Sequence, residues 1–393
     1  MPPNGRGQSL LRFCRQWPRI VWLFQHGNVQ SQQGLSEVIV TFTLDAADIS
    51  GNNVALNAGW GYNLIRRIGY RYGSSQLYYI SGTQNLIQAL SLCEDSGKRD
   101  QLFGLGGQAI LSATDTQNPA KWSAYVYLRL PHSSPALSGG ALPFPTDLIT
   151  APIQIQLDMN DFASVISAGA GATAITSVAA TVNFSQVTMD NAGDLLARRF
   201  DMSKHALAVP LPECWTQEAL GFPLQTGPDG SFQISLTGCK AGDLKGLRIW
   251  VLDSANATPA TTLNPNLCVG PSQVTFAING LIYFDSRNGS WRLTDLLRRR
   301  TSPSTTYGLL SGTTAPWTST PVSSEWVEIQ LAQPHAVGDT GETVLVHGVP
   351  VMNSVLSLQG VMPKVSYSGY TLFAEYDLNC SWLVTRGSAD FVF

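Results

Sequence analysis

Charge is what this chain has least of. Asp, Glu, Lys and Arg make up 13% of its 393 residues, roughly half of the usual share of about 25%. The net charge is only −3, which gives no basis for electrostatic wrapping of nucleic acid. Long apolar runs are also missing. No segment reaches 18 uninterrupted apolar residues, so no helical membrane span is expected, and the run Ile20–Phe24 is too short for a signal h-region. The chain reads as soluble and not signal-directed. Its six cysteines (Cys14, Cys93, Cys214, Cys239, Cys268 and Cys380) form no C-x-x-C pair, which excludes the usual zinc spacing and a dense disulfide framework. Buried free thiols are the expected state. Without a signal peptide, the four N-x-S/T sequons at Asn183, Asn256, Asn288 and Asn379 carry little weight.

Chemistry is equally scarce. The five histidines (His26, His132, His205, His335 and His347) are far apart, with no H-x-H or H-E-x-x-H arrangement. No G-x-S-x-G elbow and no P-loop occurs; Leu105-Gly106-Gly107-Gln108 lacks the Lys and Ser/Thr of a phosphate cradle and reads as a turn. Glu325 and Glu328 flank Trp326, in the manner of a glycosidase pair, but residues three apart on a strand point to opposite faces. Asp45 and Asp48 lack the D-x-D-x-D-G pattern of a calcium loop. No set of residues meets the geometric demands of catalysis. The expectation is a non-enzyme with no cofactor and no metal.

Strand patterns fill the chain instead. Val38, Val40, Phe42 and Leu44 alternate with Ile39, Thr41 and Thr43, a half-buried strand rich in β-branched residues. Trp122–Leu130, Ile153–Leu157 and Ala180–Met189 continue the pattern, with a small-residue loop at 163–177. In the second half, strands are expected at Phe232–Leu236, Leu247–Leu252, Val274–Ile278, Ile282–Phe284, Val327–Leu331, Val355–Leu358, Leu372–Leu378 and Trp382–Val384. Helical signal is confined to two short faces, Leu86/Ile87/Leu90/Cys93 and Trp291/Leu293/Leu296/Leu297. The latter is closed by Arg298–Arg300, which complement a helix C-terminus. Many short strands with Gly/Pro turns mean β-sandwiches. A length of 393 residues and 44% hydrophobic content suit two cores. The dense charge of Arg198–His205 marks the expected boundary, giving an arm at 1–34, a first domain at 35–203 and a second at 204–393.

An internal repeat supports duplication. Ile65–Cys93 and Val274–Arg300 share a plan of strand, Gly turn, strand, Gly and short helix. Gly73 and Gly280, Gly82 and Gly289, Leu86 and Leu293, and Leu90 and Leu297 all stand 207 residues apart. Matches in one register carry weight that single matches do not. Ahead of both copies, Arg6, Arg12, Arg15 and Arg19 are interleaved with Trp17, Trp22 and Phe24. This reads either as a frayed basic terminus or as a functional arm.

From the repeat onward the sequence resembles the double jelly-roll major capsid proteins of icosahedral double-stranded DNA viruses, in the lineage of the large nucleocytoplasmic viruses. The residues that carry the resemblance are Trp60, Ile68-Gly69 and the stretch Tyr70–Leu90, then Tyr125–Met159, Asn183–Phe200, Ser235–Leu252 with its Ile-Trp-Val strand, Asn279-Gly280, and the closing segments 338–360 and Tyr370–Phe393. Gly73-Ser74-Ser75-Gln76 stands where that family has Gly-Gly-Gln. The likeness spans roughly 35–393 in family order.

The resemblance implies an all-β fold of two consecutive eight-stranded jelly rolls. It also implies a homotrimer of hexagonal outline that tiles a virion shell, and no sequence-specific nucleic-acid contact. Long loops would point outward, and the arm would meet minor capsid proteins, an internal membrane or the packaged genome through Arg6, Arg12, Arg15, Trp17, Arg19 and Trp22. On this reading, deleting residues 1–30 leaves trimers intact. The alternatives are a carbohydrate-binding β-sandwich, with Tyr70, Tyr72, Tyr78 and Tyr79 as stacking platforms, and a minor or vertex capsid protein of the same fold.

Overall fold

Sixteen strands carry the architecture of the computed structural model. It describes residues 6–14, 19–24, 33–44, 54–55, 59–72, 75–91, 96–108, 122–128, 153–160, 167–168, 177–188, 207–211, 220–237, 242–253, 271, 273–285, 326–331, 335–337, 342–344, 348–362, 370–384 and 389–392. In the first half the strands are β1 (Arg6–Cys14), β2 (Arg19–Phe24), β3 (Gln33–Leu44), β4 (Ile65–Tyr72), β5 (Ser75–Ser81), β6 (Ser123–Leu128), β7 (Ile153–Met159) and β8 (Ser177–Thr188). In the second they are β9 (Leu220–Leu224), β10 (Ser231–Leu236), β11 (Asp243–Asp253), β12 (Gln273–Ile278), β13 (Leu281–Asp285), β14 (Trp326–Gln330), β15 (Leu356–Val361) and β16 (Tyr370–Leu378).

The first eight make two antiparallel four-stranded sheets, ordered β1-β8-β3-β6 and β2-β7-β4-β5. The second eight make sheets ordered β9-β16-β11-β14 and β10-β15-β12-β13. Adding eight to each label of the first half gives the second. In both halves every connection crosses from one sheet to the other, except the β4–β5 and β12–β13 hairpins. Those hairpins are the two copies of the sequence repeat, and their ladders correspond one residue away from the 207-residue register, with Tyr72↔Ser75 matching Ile278↔Leu281.

The chain divides into two compact units. One holds Met1–Leu90, Gly97–Leu211 and Ser381–Val392; the other holds Ser91–Ser96, Pro212–Cys380 and Phe393. The division falls just after the expected boundary at 203/204. The C-terminal strands Cys380–Val384 and Ala389–Val392 join Leu207–Leu211 in a three-stranded sheet.

Alternation decides what is buried. Val38, Val40, Phe42 and Leu44 of β3 are buried, as are Ala124, Val126 and Leu128 of β6 and Val178, Ala180 and Val182 of β8. Residues directly opposite in register share a face, and these do: Val40 pairs with Val182 and Val126. The second core draws on both of its sheets, with Leu247, Ile249, Leu372, Ala374 and Tyr376 from one and Val274, Phe276, Ile278, Leu356 and Leu358 from the other. Pro223 sits in β9, an edge strand, where its missing N–H is tolerated.

The N-terminal segment corrects the sequence reading. Residues 6–14 and 19–24 are not an arm ahead of the first sandwich but its first two strands. β1 pairs with β8 from Arg6↔Ser185 to Cys14↔Ser177, and β2 pairs with β7 from Arg19↔Asp158 to Phe24↔Ile153. The interleaved arginines masked runs such as Ile20–Phe24, whose β-branched and aromatic residues favour strands. Without β1 and β2, each sheet of the first sandwich keeps only three strands, and β8 and β7 become open edges.

Among the described residues, three helices accompany the first sandwich: α1 (Trp60–Asn63), α2 (Gly82–Ser91) and α3 (Ser96–Leu105). Ser81 and Gln84 form a capping box at the start of α2. The Gln84 N–H donates to Ser81 Oγ (3.1 Å), and the Ser81 N–H donates to Gln84 Oε1 (3.0 Å), which satisfies two otherwise orphaned donors. Leu86 and Ala89 are buried as the periodicity requires, but so are Gln84, Asn85 and Gln88. Asn85 Nδ2 donates to the Tyr127 carbonyl at 2.9 Å and so ties α2 to β6. After α3, the expected turn at Leu105–Gln108 is present. Gly59 and Gly61 donate to the Gly107 and Gly106 carbonyls, each at 2.8 Å. Gly107 has φ 118°, and a Cβ there would lie 2.4 Å from the Trp60 indole nitrogen, so only glycine fits. The second expected helix, Trp291–Arg300, lies outside the described residues.

The sheet β9-β16-β11-β14 is buried on its far side too. Arg248 and Trp250 alternate with the core residues Leu247, Ile249 and Val251, yet Arg248 is 2% exposed and Glu375 opposite it is 0%. Their side chains meet at 3.4 Å, and Trp250 stacks on Phe373 with ring centres 5.9 Å apart. Removing one member of a buried pair strands the other charge.

Two outcomes follow from this packing. Deleting residues 1–30 abolishes the cooperative unfolding of the first unit, seen as a lost thermal transition; retention of the full transition would restore the arm reading. Glu375→Ala costs roughly 3–5 kcal/mol, whereas Arg248→Leu combined with Glu375→Leu costs far less, as read from urea midpoints.

Candidate assembly surfaces

The outward face of the sheet β10-β15-β12-β13 is small and neutral. In register across it run Gln233, Gln359, Thr275 and Asp285, and next to them Ser235, Ser357, Ala277 and Ile282. Asp285 is the only ionisable residue in these rows, and Thr275 Oγ1 donates to it at 3.2 Å. One end of this face opens into a groove of about 390 Å³ lined by Gln225, Ser231, Gln233, Gln273 and Gln359. Among the described residues, no ionisable side chain lines it. At its rim, Ser231 donates from both its hydroxyl (2.5 Å) and its N–H (3.1 Å) to Asp229. The hydroxyl bond above all holds that exposed carboxyl below its ordinary range.

The other end of the same sheet is apolar. Asn279 (φ 50°) and Gly280 (φ 81°) form the β12–β13 turn. Two central residues at positive φ define a type I′ turn, whose twist matches that of the hairpin. Asn279 also binds the neighbouring turn at 351–355. Its N–H donates to the Val355 carbonyl (2.9 Å), its Oδ1 accepts the Val355 N–H (2.8 Å), and its Nδ2 donates to Ser354 Oγ (3.2 Å). Around this knot Leu281, Ile282, Met352 and Val355 are 64%, 51%, 69% and 63% exposed.

In the first sandwich, Asp158 of β7 accepts from Arg67 of β4 at 2.9 Å and from Gln156 Nε2 at 3.0 Å. Arg19 stands opposite Asp158 on the other side, in β2. This is a cross-strand position that favours opposite charges. Of the six residues expected to make inner contacts, Arg6 and Arg12 lie on β1 and Arg19 and Trp22 on β2, while Arg15 and Trp17 fall outside the described residues. The two strands lie in different sheets of the first sandwich. Of the tyrosines weighed as sugar platforms, Tyr70 is fully buried, which pushes its hydroxyl pKa far up. Glu328 stands opposite Arg248, while Glu325, Asp45 and Asp48 fall outside the described residues. Among the described residues, no group of three or more His, Cys, Asp or Glu side chains is placed to hold a metal ion.

The strand order appears twice, and whole-chain comparison agrees with it. This chain is similar to the capsid of the virus PBCV-1, with TM-score 0.60 and 10% identity over 100% of this chain and 98% of the other. It is similar to a protein of the Sputnik virophage (TM-score 0.53, 9% identity, 100% and 89%) and to the Faustovirus major capsid protein (0.50, 9%, 100% and 91%). The fold is a double jelly roll. No family model and no curated protein matches the sequence, so the likeness rests on backbone. Each jelly roll has eight strands in two sheets, as the sequence reading expected.

The Asn279 knot yields a measurable outcome. Asn279→Val forces a β-branched residue to positive φ and removes the side-chain bonds, costing about 2 kcal/mol. Asn279→Asp keeps the acceptor and the tolerated conformation and costs clearly less, as compared by thermal unfolding.

Proposed function

We infer that this protein is a major capsid protein whose homotrimers tile the icosahedral shell of a DNA virus. The observation that carries the reading is the doubled strand order: two eight-stranded jelly rolls per chain make six similar bodies per trimer. Three copies then give a nearly hexagonal outline from threefold symmetry alone. Low charge supports the reading, because interface cores are depleted in charged residues. The neutral Gln/Ser/Thr/Ala face of β10-β15-β12-β13 fits the same pattern. The role is structural, without turnover, and its place is the virion.

Contact with an inner layer, whether minor capsid proteins or a membrane, belongs to the same reading. With β1 and β2 built into the first sandwich, Arg6, Arg12, Arg19 and Trp22 serve such contacts from sheet strands and not from a free arm.

Light scattering at micromolar concentration gives three times the chain mass, and electron micrographs give hexagonal particles. A clean monomer at that concentration overturns the reading.

A further inference from the structure

We propose that the apolar corner formed by Leu281, Ile282, Met352 and Val355 docks against the same corner of a second copy of this chain, as the contact that joins one tile to the next. The proposal rests on the tile reading above and names a partner for this surface. The fold itself does not demand an apolar corner. In the ladder register, Leu281 (opposite Ile278) and Ile282 (opposite Ala277) hold the positions of Ser75 (opposite Tyr72) and Gln76 (opposite Arg71) in the first hairpin, so the equivalent positions there are polar. Because the two hairpins differ, a trimer carries this corner three times and not six.

Charge and area favour a self-contact. Residues 279–282 and 351–355 contain no ionisable side chain, so two copies of the corner meet without like-charge repulsion. A twofold, isologous contact is the commonest closed interface. The four side chains, 51–69% exposed, offer on the order of 400 Å² of apolar surface, within the range where a monomer's largest patch is often functional. Two such corners bury about 800 Å² in total, below the 1,200–2,000 Å² of a stable pair. The contact is therefore weak alone and becomes effective when three per tile act together. Asn279 presets it, by fixing the 351–355 turn against the hairpin before any partner arrives.

The test is a charge exchange at Leu281. Leu281→Lys and Leu281→Glu are each expected to keep the wild-type unfolding temperature and trimer mass. Each is expected to need at least tenfold higher concentration for tile-to-tile association, measured by sedimentation. Mixing the two variants brings opposite charges together across the twofold contact and restores association. Wild-type association by both single variants, or no rescue on mixing, overturns the self-contact. A monomeric wild-type chain fails the tile reading instead, and the same variants then report on the corner through the weak monomer–dimer equilibrium. The variant Ile282→Gln, which copies Gln76 of the first hairpin, gives the charge-free check on folding and association.

Discussion

Each sandwich depends on a strand that the chain makes last. β8 hydrogen-bonds β1 on one side and β3 on the other, and β16 does the same with β9 and β11. Residues 177–188 therefore hold together segments at 6–14 and 33–44 that have no direct pairing with each other. Such closure brings together distant parts of the sequence, at an entropic cost that grows only slowly with the chain between them. It follows that each roll forms late and non-locally, as all-β topologies do. The stretches between strands are free to lengthen without disturbing the sheets. It also follows that residues 6–14 must be strand, whatever their charge, since β8 otherwise has an empty side.

Register is then the quantity to protect, and the two halves do so differently. In the second sandwich, Arg248 and Glu375 stand opposite one another between core residues. A one-residue slip of β16 would turn Glu375 into the apolar core and Tyr376, whose hydroxyl donates to the Thr237 carbonyl at 3.1 Å, out of it. The ion pair adds little stability of its own but penalises the wrong pairing heavily. The first sandwich relies on amides instead. Asn160, at the end of β7, donates from Nδ2 to the Asn63 carbonyl (2.7 Å) and from its backbone to Leu64 (2.8 Å), so it pins the strand to α1. Both devices are buried and polar, and both fix which residue faces which.

Much of this was legible in the sequence where one rule acts alone. The strict alternation of Val38–Leu44 and of Leu372–Leu378 marked β3 and β16, and the 207-residue repeat marked the two equivalent hairpins. Legibility failed where two signals compete. β1 and β2 carry arginines that suggest a solvated terminus, although their partners lie about 130 to 180 residues downstream and leave no local trace. β9 carries Pro223, which argues against a strand until its edge position is known. α3 contains Gly97, Gly104 and mixed charge, so its periodicity is weak, and it was not expected. The buried face of α2 was read from Leu86 and its apolar neighbours, whereas three amides share it. No pattern rule marks a buried Gln that closes a cap or a buried Asn that reaches a distant carbonyl. The apolar corner was invisible for a similar reason: Leu281-Ile282 and Met352 look like ordinary strand and turn residues until the hairpin and the 351–355 turn are brought side by side.

A backbone grid specified by alternation and a few turns leaves most side chains replaceable, provided each keeps its face. That is why a chain 10% identical to the PBCV-1 capsid protein aligns with it over its whole length. The same freedom separates the two halves of this chain. Common to both hairpins in sequence is a glycine between the two strands, Gly73 in one and Gly280 in the other. The first two residues of the returning strand are Ser75-Gln76 in one hairpin and Leu281-Ile282 in the other. Duplication thus supplies two bodies of like shape, and divergence at positions the core does not use gives them different surfaces.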